Sequence, residues 1–173
     1  MEFGIYETVT LNELKPLSEN LSRFIINQEL SMDAPVLGYV SINNIAFFDS
    51  LFTEPNSPKM NLMLTRPNPG PSGDSYAIIS LKEEASIDIS DISRTNPRFE
   101  TVEIRFTSQG TRKWADMTNA NTGKIIAFTV NREVWSLPMV NAEIRNGMAI
   151  IGGIENEETA KKLSELLNSA INK

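Results

Sequence analysis

From Glu100 to Thr107 the chain alternates, with Val102, Ile104 and Phe106 set against Thr101, Glu103 and Arg105. A period of two sends the first set to one face of a strand and the second to the other, so ETVEIRFT (100–107) predicts a half-buried strand. Downstream the period changes. Trp114, Met117 and Asn121 fall along one side of a helix over residues 109–121. KIIAFTV (124–130) and EVWSLPMV (133–140) predict two strands joined at Asn131-Arg132. AEIRNGMAIIGGI (142–154) predicts a hairpin turning on Asn146-Gly147, the best two-residue turn in the chain. A last helix, capped at Asn156, buries Ala160, Leu163, Leu167 and Ala170.

The first half is less regular. Thr10 with Glu13 has the spacing of a capping box, and Val9 with Leu14 that of a hydrophobic staple. Leu11, Leu14, Leu17, Leu21, Phe24 and Ile25 recur at helical spacing, with Pro16 marking the start of the main helix. PVLGYV (35–40) predicts a strand, and SINNIAFFDSLF (41–52) a helix capped by Ser41 with Ile45, Phe48 and Phe52 inward. KMNLMLTR (59–66) and SYAIISLK (75–82) predict strands on either side of the turn-rich PNPGPSGD (67–74). A boundary near TNPRF (95–99) divides the chain into residues 1–94 and 95–173. The fold class expected is α+β: two small subdomains, each an antiparallel or mixed sheet with helices packed on one face.

Composition then narrows the function. The 173 residues contain no histidine and no cysteine, which excludes His-based general bases, thiolate nucleophiles and nearly every structural zinc site. A net charge of −6 argues against nucleic acid, whose binders cluster Lys and Arg. No run of 18 apolar residues occurs, and MEFGIYETVT lacks the basic start and apolar stretch of a secretory signal.

Four stretches invite a chemical reading. Gly123-Lys124 suggests a phosphate loop, but Thr118 stands where the first glycine belongs, Ile125 replaces the hydroxyl, and the pair follows a helix and precedes a strand. Gly123 is better read as the left-handed residue that ends the helix. SIDISDIS (86–93) offers Asp88 and Asp91, a weak metal or acid–base pair, and reads more naturally as a strand with a solvated face. ENEETAKK (155–162) matches a helix dipole. EVWSLPMV is the most informative: alternation puts Trp135, Leu137 and Met139 on one face. That face is either covered by the first half of the chain or the membrane-proximal part of a larger protein, or open as a surface suited to another polypeptide. Pro138 requires an edge or a bulge there. No catalytic residue, metal or cofactor is expected.

The stretch from Phe106 to Leu167 resembles the first periplasmic domain of SecD and the fused SecDF, accessory subunits of the bacterial Sec protein-export machinery. The residues that carry the likeness are Gly110, Thr118, Asn121, Gly123, Lys124, Ser136, Pro138 and Val140, then Gly147, Ile151, Gly152, Glu158 and Ala160. FGIYETVTLNEL and APVLGYVSINN extend it more loosely into the first half. Two positions depart from the family pattern: Asn131-Arg132 replaces Asp-Gly at the hairpin, and Ile154-Glu155-Asn156 replaces an Asn-Phe-Thr cap. The resemblance implies a base (1–94) and a head (95–173) that swing relative to each other on the periplasmic side of the inner membrane. Its implied partners are unfolded preprotein and, through a membrane portion that has no counterpart in these residues, a SecYEG-type translocon. No small-molecule substrate is implied. A non-enzymatic module, excised or stand-alone, is the expectation, with Trp135, Leu137 and Met139 touching polypeptide. The alternative is a stand-alone extracytoplasmic protein-binding or assembly module of the same fold.

Overall fold

A computed structural model of the chain describes residues 1–10, 12–13, 33–45, 61–70 and 73–173. The chain packs as two units, one of residues 8–84 and one that joins Met1–Glu7 to Ala85–Lys173. The seam therefore lies between Glu84 and Ala85, and the first strand belongs with the C-terminal residues.

The unit of residues 8–84 is built around a long strand. β2 (Val36–Ser41) and β3 (Asn61–Thr65) pair antiparallel with β5 (Gly73–Leu81), and β4 (Asn68–Gly70) pairs with the start of β5. Ile78, Ile79 and Leu81 are fully buried, so β5 is covered on both faces. Buried Ser80 escapes the cost of an unmet hydroxyl by donating to the carbonyls of Val9 and Pro35. The expected capping-box spacing at Thr10 is real: Glu13 Oε2 accepts from the Thr10 amide at 2.7 Å. Ile42–Asn44 form a single 3-10 turn in which Ser41 makes no side-chain cap. The helix expected from Pro16, and the rest of the one expected over 41–52, lie outside the described residues.

The second unit contains two sheet segments and two described α-helices. β1 (Phe3–Glu7) lies between β6 (Ile87–Asp88) and β9 (Ile126–Val130), and β10 (Glu133–Ser136) pairs with β9. A second sheet runs in the order β11 (Met148–Ile151), β8 (Thr101–Phe106), β7 (Ile92–Arg98). α1 (Ser108–Ala120) follows β8, and α2 (Glu157–Ile171) packs along β7 and β8. Val102, Ile104, Phe106, Trp114, Phe128, Leu163 and Leu167 join one core drawn from both sheets and both helices. Burying a Phe or Leu in such a core contributes roughly 1.5–3 kcal/mol each. α2 begins where the sequence placed it, with Asn156 Oδ1 accepting from the Thr159 amide at 2.9 Å.

Two expectations change. Residues 86–93 do not form one strand: Asp88 Oδ1 captures the Ser90 amide at 2.8 Å, and a 3-10 turn over Ile89–Asp91 separates β6 from β7. Nor do residues 142–154 close on themselves as a hairpin. Gly147 keeps its left-handed φ of 69°, but β11 pairs with β8. The amide of Ile144 is bound elsewhere, to Thr118 Oγ1 at 2.9 Å, which draws residues 142–145 toward the end of α1.

Candidate functional site: an apolar groove on the second unit

Six of the residues that carried the family likeness, Thr118, Asn121, Gly123, Lys124, Pro138 and Val140, form one hydrogen-bonded seam. Thr118 is fully buried; its hydroxyl donates to the Trp114 carbonyl at 2.8 Å and accepts from the Ile144 amide. Asn121, also buried, donates through Nδ2 to the Met117 carbonyl at 2.9 Å and closes the helix end. Gly123, at φ 80°, turns the chain so that its amide reaches the Val140 carbonyl at 2.7 Å. Val140 in turn donates to the Lys124 carbonyl at 2.9 Å, and Ile126 to the Pro138 carbonyl at 3.0 Å. Pro138 accepts here without needing to donate, which is why proline is tolerated. The Gly-Lys pair is thus a fastening between a helix end and residues 138–140.

That seam holds residues 138–144 over the body of the unit and leaves a groove beneath. The cavity, about 430 Å³, is lined by Trp114, Ile126 and Phe128 from below, by Pro138–Ala142 and Ile144, and by Met148–Ile150 of β11, with Asn146 at the turn. Trp114 sits between Phe106 and Phe128, with ring centroids at 5.4 and 6.2 Å. Its Nε1 is buried without a hydrogen-bond partner. Among the described residues, none that lines the groove is ionisable. The groove offers apolar area and two asparagine side chains, and nothing that could move a proton or anchor a metal.

The three sequence-predicted contact residues separate. A bulge between Val134 and Ser136 breaks the simple alternation of β10. Trp135 is half-buried and packs against the core, and Leu137 is half-buried. Met139 is 58% exposed and lines the groove. Sequence reasoning missed Ala142, Ile144, Met148 and Ile150. For Ala142 and Ile144 the signal lay in the seam motif, where Thr118 binds the Ile144 amide and holds one wall in place.

Asp88 and Asp91 do not converge. Asp88 is exposed and bonds Ser90, whose hydroxyl holds the Asp88 carboxyl below its ordinary value, with the Ser90 amide and the Lys113 charge assisting. Asp91 is buried, and its Oδ2 accepts from Lys113 Nζ at 2.7 Å and from the Asp88 amide at 3.2 Å. That bond raises Lys113 above its usual value. Among the described residues, no group of three acidic side chains stands where a metal could be held.

With this geometry in place, the comparisons bear on identity. The family model described as SecDF, P1 head subdomain, matches residues 64–171, a span that starts inside the first unit and contains the whole groove. The chain belongs to the SecDF P1 head family. SecD of Rhodothermus marinus is 30% identical over 99 residues, covering 54% of this chain and 16% of that protein. SecD of Desulfurispirillum indicum is 37% identical over 78 residues (44% and 15%), and SecDF of Thermus thermophilus 31% over 68 residues (39% and 9%). The chain thus corresponds to a minor part of these protein translocase subunits.

Two solved structures share the fold. SecDF in its super-membrane-facing form superposes with a TM-score of 0.54 at 17% identity, over 97% of this chain and 18% of that one. A structure of the membrane component SecDF that enhances protein export gives 0.50 at 15% identity, over 98% and 93%. The α+β architecture is therefore that of the SecDF P1 region. Among the described residues, no helix is long and apolar enough to cross a membrane.

Proposed function

We propose that this chain is the periplasmic-side portion of a SecD/SecDF-type accessory subunit of the Sec translocase, and that it contacts unfolded preprotein noncovalently during export. The observation that carries this reading is the groove: a 430 Å³ apolar cavity with no ionisable group among the described residues that line it, in the region matched by the P1 head model. Such a site cannot activate a nucleophile or shuttle a proton. It can shelter apolar side chains that a chain emerging from a translocon would otherwise expose to water.

Magnitudes favour transient contact. Burying one Leu side chain gains roughly 1.5–3 kcal/mol. Ordering a flexible segment returns much of that gain. A groove accepting two or three side chains therefore holds polypeptide weakly and with little regard to sequence, as a transport accessory requires. Met139 is the exposed contact, while Trp135 and Leu137 support the strand and segment from which it projects. A SecYEG-type translocon would be met through the membrane part of the whole subunit, and no cofactor is needed.

The test places a photocrosslinking residue at Met139, at Ala142 or, as a control, at Lys161 on the exposed side of α2, in a vesicle system stalled in mid-export. The preprotein should label from the groove positions and not from Lys161. Equal labelling from all three would remove the reading.

A further inference from the structure

β11 is an edge strand; among the described strands its partner is β8. Its register decides which backbone groups are committed. Met148, Ala149, Ile150 and Ile151 stand opposite Arg105, Ile104, Glu103 and Val102. The Phe106 amide donates to the Gly147 carbonyl at 3.0 Å, so Gly147 and Phe106 form a hydrogen-bonded pair. Such pairs alternate with non-bonded ones along an antiparallel ladder. Ala149 and Ile151 therefore turn their N–H and C=O toward β8, while Met148 and Ile150 turn theirs outward. Asn146 Oδ1 already accepts from the Met148 amide at 3.0 Å. The open rim thus presents the Met148 carbonyl together with both the amide and the carbonyl of Ile150.

That rim borders the groove. Met148, Ala149 and Ile150 all line it, although neighbours on a strand point to opposite faces. A cavity that touches three consecutive residues runs along the strand's edge. Exposed strand edges template pairing with another chain, and apolar depth beside an edge gives alternate side chains somewhere to go.

We propose that polypeptide enters the groove as a further strand on β11, exchanging two hydrogen bonds between Ile150 and one client residue. This rests on the reading of the groove as a polypeptide site and adds how the chain is held. The client residue opposite Ile150 keeps its side chain on the Ile150 face, beside Glu103, where almost any residue fits. Its two neighbours turn theirs to the face of Ala149 and Ile104, the side of the core that holds Trp114 and Phe128. The favoured client is an extended segment with apolar residues at alternate positions and no proline at the central one.

The experiment measures fluorescence anisotropy of a labelled ten-residue peptide of alternating Leu and Thr, with lysine ends, against the 173-residue chain. Ile150→Pro removes the outward amide and leaves the β8 ladder intact, while Ile150→Ala removes the same side chain and keeps the amide. Ile150→Pro should bind at least fivefold more weakly than Ile150→Ala, as expected for loss of one hydrogen bond of about 1 kcal/mol. A peptide N-methylated at alternate amides should bind the unaltered chain more weakly by a similar factor, and reads the same bond should Ile150→Pro fail to fold. Ala142→Trp, which fills the groove, should abolish binding of every peptide.

The outcomes separate the two claims. Binding lost with Ala142→Trp but indifferent to Ile150→Pro and to N-methylation overturns strand addition and leaves the groove reading standing. Failure of the unmodified peptide to bind at all removes both. Concentration-dependent dimers abolished by Ile150→Pro would assign the edge to a second copy and overturn the proposal.

Discussion

The two flanks of α1 are built in opposite ways. At its start, the helix is pressed against the 3-10 turn of Ile89–Asp91 so closely that a Cβ on Gly110 would lie 2.2 Å from the Asp91 carbonyl oxygen. Thr107 caps the same turn of helix by accepting from the Gly110 amide at 3.0 Å, and Lys113 neutralises buried Asp91. Around Trp114 and beyond, residues 138–150 stand off and leave the groove. One end is polar, charged and closed; the other is apolar, uncharged and open. The contrast separates residues that hold the unit together from residues that line an open, uncharged groove.

The sharpest way to break the closed end is Gly110→Val. The added atoms meet backbone, which cannot swing aside, and overpacking of that kind costs 1–3 kcal/mol or more. We expect a loss of about 3 kcal/mol in urea unfolding. Thr118→Val comes next. It keeps the volume but orphans the Ile144 amide, at about 1–3 kcal/mol. Hydrogen exchange at Ile144 should quicken more than exchange in α2, because the seam is local.

The pH dependence that the closed end contributes should be smaller. The Asp88 carboxyl is depressed below 3.8, chiefly by the Ser90 hydroxyl. A depressed carboxyl stabilises the fold above its unfolded value, and that contribution fades as pH falls through the folded value. Lys113 is raised above 10.5 by its bond to Asp91, so its share is complete below 10.5 and fades as pH climbs past the folded value. The melting temperature should therefore hold level between these limits and fall on either side, with a shallower acid limb in Ser90→Ala. Met139→Ser at the open end should change stability least, by about 0.5 kcal/mol or less, since surface substitutions are mild. Its effect should appear as weaker peptide binding, and a large loss of stability would mean that Met139 belongs to the core.

How far this could be read in advance varies by interaction range. Helix α2, its Asn156 cap and the alternation of β8 follow from local periodicity and capping, which a sequence displays directly. Gly123 and Gly147 were legible as turns because left-handed φ has few other occupants. The partner of β11 was not, since pairing is decided by which amides are still unclaimed, and Thr118, 26 residues away, had claimed that of Ile144. The packing of Trp135 against the core was hidden for a similar reason: a bulge shifts the register, and alternation cannot announce it. The groove belongs to neither strand nor helix alone, so no single stretch advertises it.

The placement of Phe3–Glu7 carries a last consequence. This strand fills an interior position between Ile87–Asp88, more than eighty positions further along the chain, and Ile126–Val130, more than a hundred positions further along. A nascent chain can pair it with Ile87–Asp88 first, and its other edge must wait until Ile126–Val130 has been made. A laboratory fragment cut at Ala85 would begin without its middle strand, exposing two raw edges on Ile87–Asp88 and Ile126–Val130. Anyone isolating the groove-bearing half should therefore return the first seven residues to it, by tether or by circular permutation.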